Sequence, residues 1–254
     1  MNLKVAYKFQ FAEHKKAIIQ FYLIIVCIFL ALHIFVGISV TNDNNVPGQF
    51  NGFDSSSAIF LFVLGLCTFK ESFHMMIQNG ISRKTMFIGK VLTMISVGIV
   101  MALIDKAIVL LDKLASGVSS EMLILQSLFE QIYQTRVEYI TTFQMHIESL
   151  IFNICLFMSF IAMGYFITIL YYRLPKYGKI AISIGVPAGL FIILPVIDSI
   201  VTNGEIIHMI VNTLDFAFGF SNQTPSHAII TFFSMFIVFM GLSWLLIKRI
   251  EVKE

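Results

Sequence analysis

The chain has 254 residues, 57% of them hydrophobic and 13% charged, with a mean hydropathy of +0.86 and a net charge of +2. That leaves too little polar surface to enclose the apolar material in water, which excludes a soluble globular domain. The apolar runs are continuous rather than alternating, which argues against a transmembrane barrel and for an all-α integral membrane protein whose helices satisfy their own backbone groups. Cys27, Cys67 and Cys155 all fall in apolar runs. An odd number without paired spacing sets neither a disulfide framework nor a metal motif, and the thiols read as buried and structural.

In chain order, residues 1–16 hold Lys4, Lys8, Lys15 and Lys16 among Val5, Tyr7, Phe9 and Phe11, an amphipathic segment suited to a membrane surface. Its alternation also resembles a short strand. No small-residue cleavage site closes the apolar run that follows, so that run reads as a permanent anchor rather than a signal peptide. Residues 17–254 then read as a six-helix transmembrane domain with spans at 17–40, 57–73, 87–111, 149–172, 180–197 and 228–247. Each approaches the roughly 20 residues that a hydrocarbon core requires.

Six spans put both termini on one side, and the segments of that side hold fourteen of the seventeen basic residues. The other side has Lys106, Lys113 and Arg136. Because basic loops are retained in the cytoplasm during insertion, the reading places both termini there. Two external stretches are more than connectors. Met122, Leu125, Phe129 and Ile132 recur at helical spacing within residues 119–146, which predicts an external amphipathic helix. Residues 206–220 are apolar but too short and polar-interrupted to span, which suits a re-entrant or interfacial element.

Motifs for chemistry are scarce. Gly80-Ile81-Ser82-Arg83-Lys84-Thr85 lacks the second glycine and the preceding strand of a phosphate-binding loop. There is no zinc-protease, hydrolase or redox motif. Asn222-Gln223-Thr224 is a sequon followed directly by Pro225, and reads as a chance match. No span carries an acid, lysine or arginine near its centre, which weighs against ion-coupled transport. His33 lies towards the outer end of span one, where helix packing or the interface explains it. Asp105 and Lys106 lie about 21 Å along a helix from Lys90, and either pair with each other or line a substrate path. In span five, Gly185 and Gly189 share a face that permits close helix approach, and Pro187 invites a kink. These serve either packing or gating. The 26 phenylalanines face lipid, pack, or line a path for amphipathic cargo.

The stretch Lys70–Lys90, KESFHMMIQNGISRKTMFIGK, stands apart as a basic insert between apolar spans. Glu71 closes span two, a short amphipathic run follows, and Asn79-Gly80-Ile81-Ser82-Arg83-Lys84 turns the chain into span three. This pattern, with the amphipathic N-terminal segment, six spans and the element before the last span, resembles the permease subunits of ABC-2-type (type V) exporters. It is closest to small bacterial permeases of peptide exporters, such as those of bacitracin or lantibiotic immunity and of phenol-soluble modulins.

The resemblance implies a coupling element over residues 71–84, with Glu71, Phe73, His74, Met75, Ile77, Asn79, Gly80, Ser82, Arg83 and Lys84 meeting a separate cytoplasmic ATPase. Arg83 and Lys84 are the foremost polar docking contacts, although both also serve as topology signals. Gly185, Pro187, Gly189, Asp105 and Lys106 are the candidates for gating or for lining the path. The implied assembly is a homo- or heteromeric pair of permease chains with two ATPases in a bacterial cell membrane, exporting a peptide. This chain would be a transport subunit rather than an enzyme. It carries no cofactor or metal of its own, ATP and Mg²⁺ belonging to the partner, and it has no nucleic-acid role. An ATP-independent channel or carrier, or a membrane sensor or immunity protein that binds a peptide, is the alternative.

Overall fold

The computed structural model describes residues 3–40, 49–116 and 124–248. The expected features in 41–48, 117–123 and 249–254, and the side chain of His33, lie outside the described residues. Eleven helices run in the order α1 (Leu3–Val40), α2 (Phe53–Cys67), α3 (Lys70–Gln78), α4 (Arg83–Ser116), α5 (Leu128–Ile132), α6 (Gln134–Tyr139), α7 (Thr142–Arg173), α8 (Lys176–Ala188), α9 (Leu194–Ile197), α10 (Glu205–Phe218) and α11 (Pro225–Ile247). Five helical stretches are long and apolar enough to cross a membrane, six if α2 and α3, bent by 42°, form one span. The protein is therefore a multi-pass helical membrane protein.

α1 is one continuous helix about 57 Å long, and residues 3–16 form its N-terminal part rather than a separate segment or a strand. Ala6, Gln10, His14 and Ile18 recur every four residues and are buried, while Lys4, Lys8, Lys15 and Lys16 occupy the exposed face. The stripe runs from the first turns past residue 16, so nothing obliges the helix to break there.

α7 is the central helix, packing against α2, α4 and α11. Its approach to α2 is set by two glycines. A Cβ on Gly164 would overlap the carbonyl oxygen of Phe62, and one on Gly65 would overlap that of Ile161. The close crossing lets the Thr168 hydroxyl donate to the Leu66 carbonyl at 2.7 Å, a packing device typical of membrane helices. Around it Leu61, Phe69, Phe73, Phe157, Ile161 and Tyr165 form the core.

The chain has two recognisable ends. At the α3 end, Gln10 Nε2 donates to the Met86 carbonyl at 3.3 Å and Arg83 to the Lys248 carbonyl at 3.1 Å. The N-terminal part of α1 and the C-terminal end of α11 therefore both lie beside the start of α4. At the opposite, capped end, β1 (Gln49–Asn51) pairs in parallel with β2 (Ile124–Gln126), Gln49 opposite Ile124.

The capped end departs from the single helix expected over 119–146. The backbone of 124–126 is used by the strand pair. Two fresh N-caps then restart the chain: Ser127 Oγ accepts from Glu130 N–H, and Thr141 Oγ1 from Gln144 N–H. Span two also differs from the expected 57–73, because α2 ends at Cys67 and α3 sets off after Thr68 and Phe69. Two of the three cysteines, Cys27 and Cys67, are exposed; only Cys155 is buried.

The apolar stretch from Lys176 to Thr202, long enough to span, runs as α8, α9 and two π-helical stretches, Gly189–Ile193 and Asp198–Thr202. Pro187 and Pro195 each remove a donor from the helical ladder, and wider π turns follow both. α10 lies between Gly204 and Gly219, both at positive φ, and packs against α11. The Asp198 carboxylate caps its start, accepting from Ile206 N–H at 2.8 Å.

Candidate functional site

The stretch Lys70–Lys90 folds as an amphipathic helix, a tight turn and the start of α4. The turn is explained by capping chemistry. Gly80 has φ of +69°, and Ile81 N–H returns to the Met76 carbonyl at 3.0 Å, closing α3 in the manner of a Schellman motif. Ser82 caps α4, accepting from Thr85 N–H at 3.2 Å.

The residues expected to meet a partner divide into two groups. Phe73 is buried, stacked 5.0 Å from Phe69, and His74 Nε2 lies 3.1 Å from the Tyr172 hydroxyl. Ile77 is half-buried. Arg83 caps the C-terminal end of α11 through the Ile247 and Lys248 carbonyls, a favourable place for a cation. Its side chain is therefore committed within the chain. Glu71, Met75, Asn79, Gly80, Ser82 and Lys84 remain exposed. Beside them a groove of about 320 Å³ lies between α1 and α3, lined by Val5, Phe9, Met75, Met76, Asn79 and Ile81.

Sequence reasoning passed over Lys90. Its ammonium is buried among α1, α2 and α4, 3.1 Å from His14 Nε2, 3.0 Å from Thr68 Oγ1 and 5.4 Å from the Tyr165 ring centre. Next to it the Ser72 hydroxyl donates to Glu13 at 2.7 Å. A lysine at the end of a basic stretch reads as a topology signal, and only the packing of α1 across it reveals the enclosure.

Asp105 and Lys106 do not pair with each other. Adjacent helical residues do not face one another, so each meets a different helix. The Tyr22 hydroxyl donates to Asp105 Oδ1 at 2.6 Å, and Lys106 Nζ donates to Ser149 Oγ at 3.2 Å. Asp54, at the start of α2, accepts from Leu128 N–H at 2.7 Å, and Lys113 pairs with Glu130 at 2.7 Å. The capped end thus gathers a buried polar cluster that local periodicity does not display.

Gly185 and Gly189 meet nothing within 4 Å of where a Cβ would sit. The close approach expected of them is made instead by Gly65 and Gly164. Pro187 lies within α8, none of whose residues is buried. By contrast, Phe152, Phe160, Phe218, Phe220 and Phe232 line an apolar cavity of about 410 Å³ between α5, α7 and α11. Tyr133 seals its rim, donating to the Phe218 carbonyl at 2.6 Å, and burial pushes its hydroxyl pKa up to about 12. Nearby, the Glu148 hydrogen bonds hold Arg136 above its ordinary range. Among the described residues no three His, Cys, Asp or Glu side chains gather as a metal centre.

Fold and site together define a multi-pass helical membrane protein with one amphipathic, partly exposed end and one capped, polar-cored end. Comparison with protein-family models, with curated proteins and with solved structures gives no match.

Proposed function

We infer that the chain is the permease subunit of an ATP-driven exporter of the ABC-2 type, with six spans and both termini in the cytoplasm of a bacterial cell. The observation that carries this reading is the break after α2. There the chain leaves the bundle as α3, holds one face in the core through Phe73 and Met76, and exposes Glu71, Met75, Asn79 and Lys84 beside a groove. A short helix rooted in the bundle and open on its outer face suits a separate ATPase that pushes on it. Exposed Lys4, Lys8, Lys15, Lys16, Lys70, Lys84, Arg173, Lys176, Lys179 and Lys248 belong to this end, which supports a cytoplasmic placement. On the cargo side, the phenylalanine-lined cavity suits the apolar face of an amphipathic peptide. A second permease chain completes the assembly.

The test is copurification of the tagged chain in mild detergent, with ATP hydrolysis as readout. A separately encoded ATPase is expected to come away with it, and the combined reversals Glu71→Lys and Lys84→Glu should weaken its retention by about tenfold or more while the chain still inserts. If no ATPase is retained, or if retention is unchanged by the reversals and by Met75→Glu in the groove, docking at α3 is wrong. Peptide-dependent hydrolysis in liposomes then separates an exporter from a channel or a peptide-binding sensor.

A further inference from the structure

Four side chains at the capped end share an unusual condition. Asp54, Ser57, Asp105 and Asn153 are each at most 1% exposed, and each keeps an oxygen without a hydrogen-bond partner. These are Asp54 Oδ1, Ser57 Oγ, Asp105 Oδ2 and Asn153 Oδ1. The second oxygen of each carboxylate is engaged, by Leu128 N–H at 2.7 Å and by the Tyr22 hydroxyl at 2.6 Å. The four residues come from α2, α4 and α7 and are neighbours. The Ser57 hydroxyl is within reach of Asp105 and Tyr22 and the Asn153 amide within reach of Asp54, without the geometry of a hydrogen bond that would satisfy these oxygens, and the two carboxylates act on each other.

Buried polar atoms in proteins almost always find a partner, and orphaned ones call for an explanation. Here every orphan is an oxygen, and two belong to carboxylates. The charged groups that act on this cluster include, among the described residues, Glu130, Lys106 and Lys113. Lys113 is closed onto Glu130 at 2.7 Å, and Lys106 donates to Ser149 Oγ at 3.2 Å rather than to either aspartate. His146, facing Lys106, Lys113 and Glu130, adds no negative charge. Asp112, further along α4, is engaged separately by Leu125 N–H at 2.8 Å.

We propose that Asp54, Ser57, Asp105 and Asn153 form a binding site for a small, hard cation of the sodium type. Two carboxylates, an amide oxygen and a hydroxyl are oxygen donors throughout, the set that suits alkali and alkaline-earth ions and not zinc or copper. Such an ion would tie α2, α4 and α7 together beneath the β1–β2 cap and, through Tyr22, hold α1 as well. The site stands on its own residues and does not depend on the exporter reading.

Thermal unfolding of the full chain in nanodiscs of uncharged lipid tests this, with NaCl replaced stepwise by choline chloride at constant ionic strength and fixed pH. The melting temperature is expected to rise and saturate with sodium and to stay flat in choline. Asp105→Asn should move the half-saturating sodium concentration at least about tenfold upward, and Asn153→Ala in the same direction, as loss of a ligand or its support does at other ion sites. Ser57→Ala removes one donor with little change in volume, and carries the test should a carboxylate variant fail to fold. Equal melting in sodium and choline would overturn the site, with water as the bridge between the oxygens. A sodium response that persists unchanged in Ser57→Ala and Asn153→Ala would overturn it too, by placing the ion elsewhere. A response to pH with no discrimination between cations would replace the ion by a shared proton.

Discussion

Replacing Gly164 with alanine is the most direct test of how the bundle is held. The new methyl group would overlap the Phe62 carbonyl oxygen and stand 3.1 Å from Leu66 N. Both are backbone atoms, so no side-chain rotation relieves the contact, and α2 must move away from α7 by about 1 Å to restore ordinary spacing. Overpacking of a fitted contact costs about 1–3 kcal/mol. The shift also stretches the Thr168 bond to Leu66, worth about 0.6 kcal/mol for a hydrogen bond between membrane helices. Together the loss is about 1.5–3.5 kcal/mol. Gly185→Ala is the matched control, because nothing lies within 4 Å of its added methyl. There alanine should stabilise by a few tenths up to about 1 kcal/mol. Reversible unfolding in mixed micelles, followed by circular dichroism, reads both. If Gly164→Ala unfolds no more easily than Gly185→Ala, the α2–α7 crossing is not as tight as described and the argument fails.

Two further outcomes follow from the ends of the molecule. Arg83→Ala should free the C-terminal turn of α11 and cost about 0.3–1 kcal/mol, seen as faster amide exchange near Ile247; unchanged exchange would remove Arg83 as the cap. For Tyr133, the folded pKa near 12 lies above the ordinary value of about 10. The raised value means its contribution is fully present below pH 10 and is lost as pH rises from about 10 to about 12. Melting measured across that window should fall more steeply for the wild type than for Tyr133→Phe, and parallel curves would show that the hydroxyl bond to Phe218 contributes nothing.

Much of the architecture was legible because hydropathy and charge act locally. Each apolar run from Val91 or Leu150 onward announces a helix by itself, and the basic residues separate the two ends of the bundle without any knowledge of packing. The turn after α3 was also readable, since Gly80 and Ser82 have capping roles that depend only on near neighbours. What escaped depends on partners distant in the sequence. Gly65 and Gly164 become a crossing only when α2 meets α7, whereas the more conspicuous Gly185 and Gly189 meet nothing in the chain. Lys90 looks like any loop lysine until His14 and Thr68 close on it. The polar cluster was glimpsed through Asp105 and Lys106, but its other members, Asp54 and Asn153, sit 51 and 48 residues from Asp105 along the chain.

The length of α1 has a mechanical consequence. Gln10 bonds the backbone of α4 at Met86, and Tyr22 bonds α4 again at Asp105. On α1 these anchors are about 18 Å apart. Two rods fastened at separate points do not slide past one another unless a fastening opens first. Displacement applied beside Met86 would therefore reach Asp105 with little lost between, and α1 with α4 would respond as a single lever joining the amphipathic end to the polar-cored one.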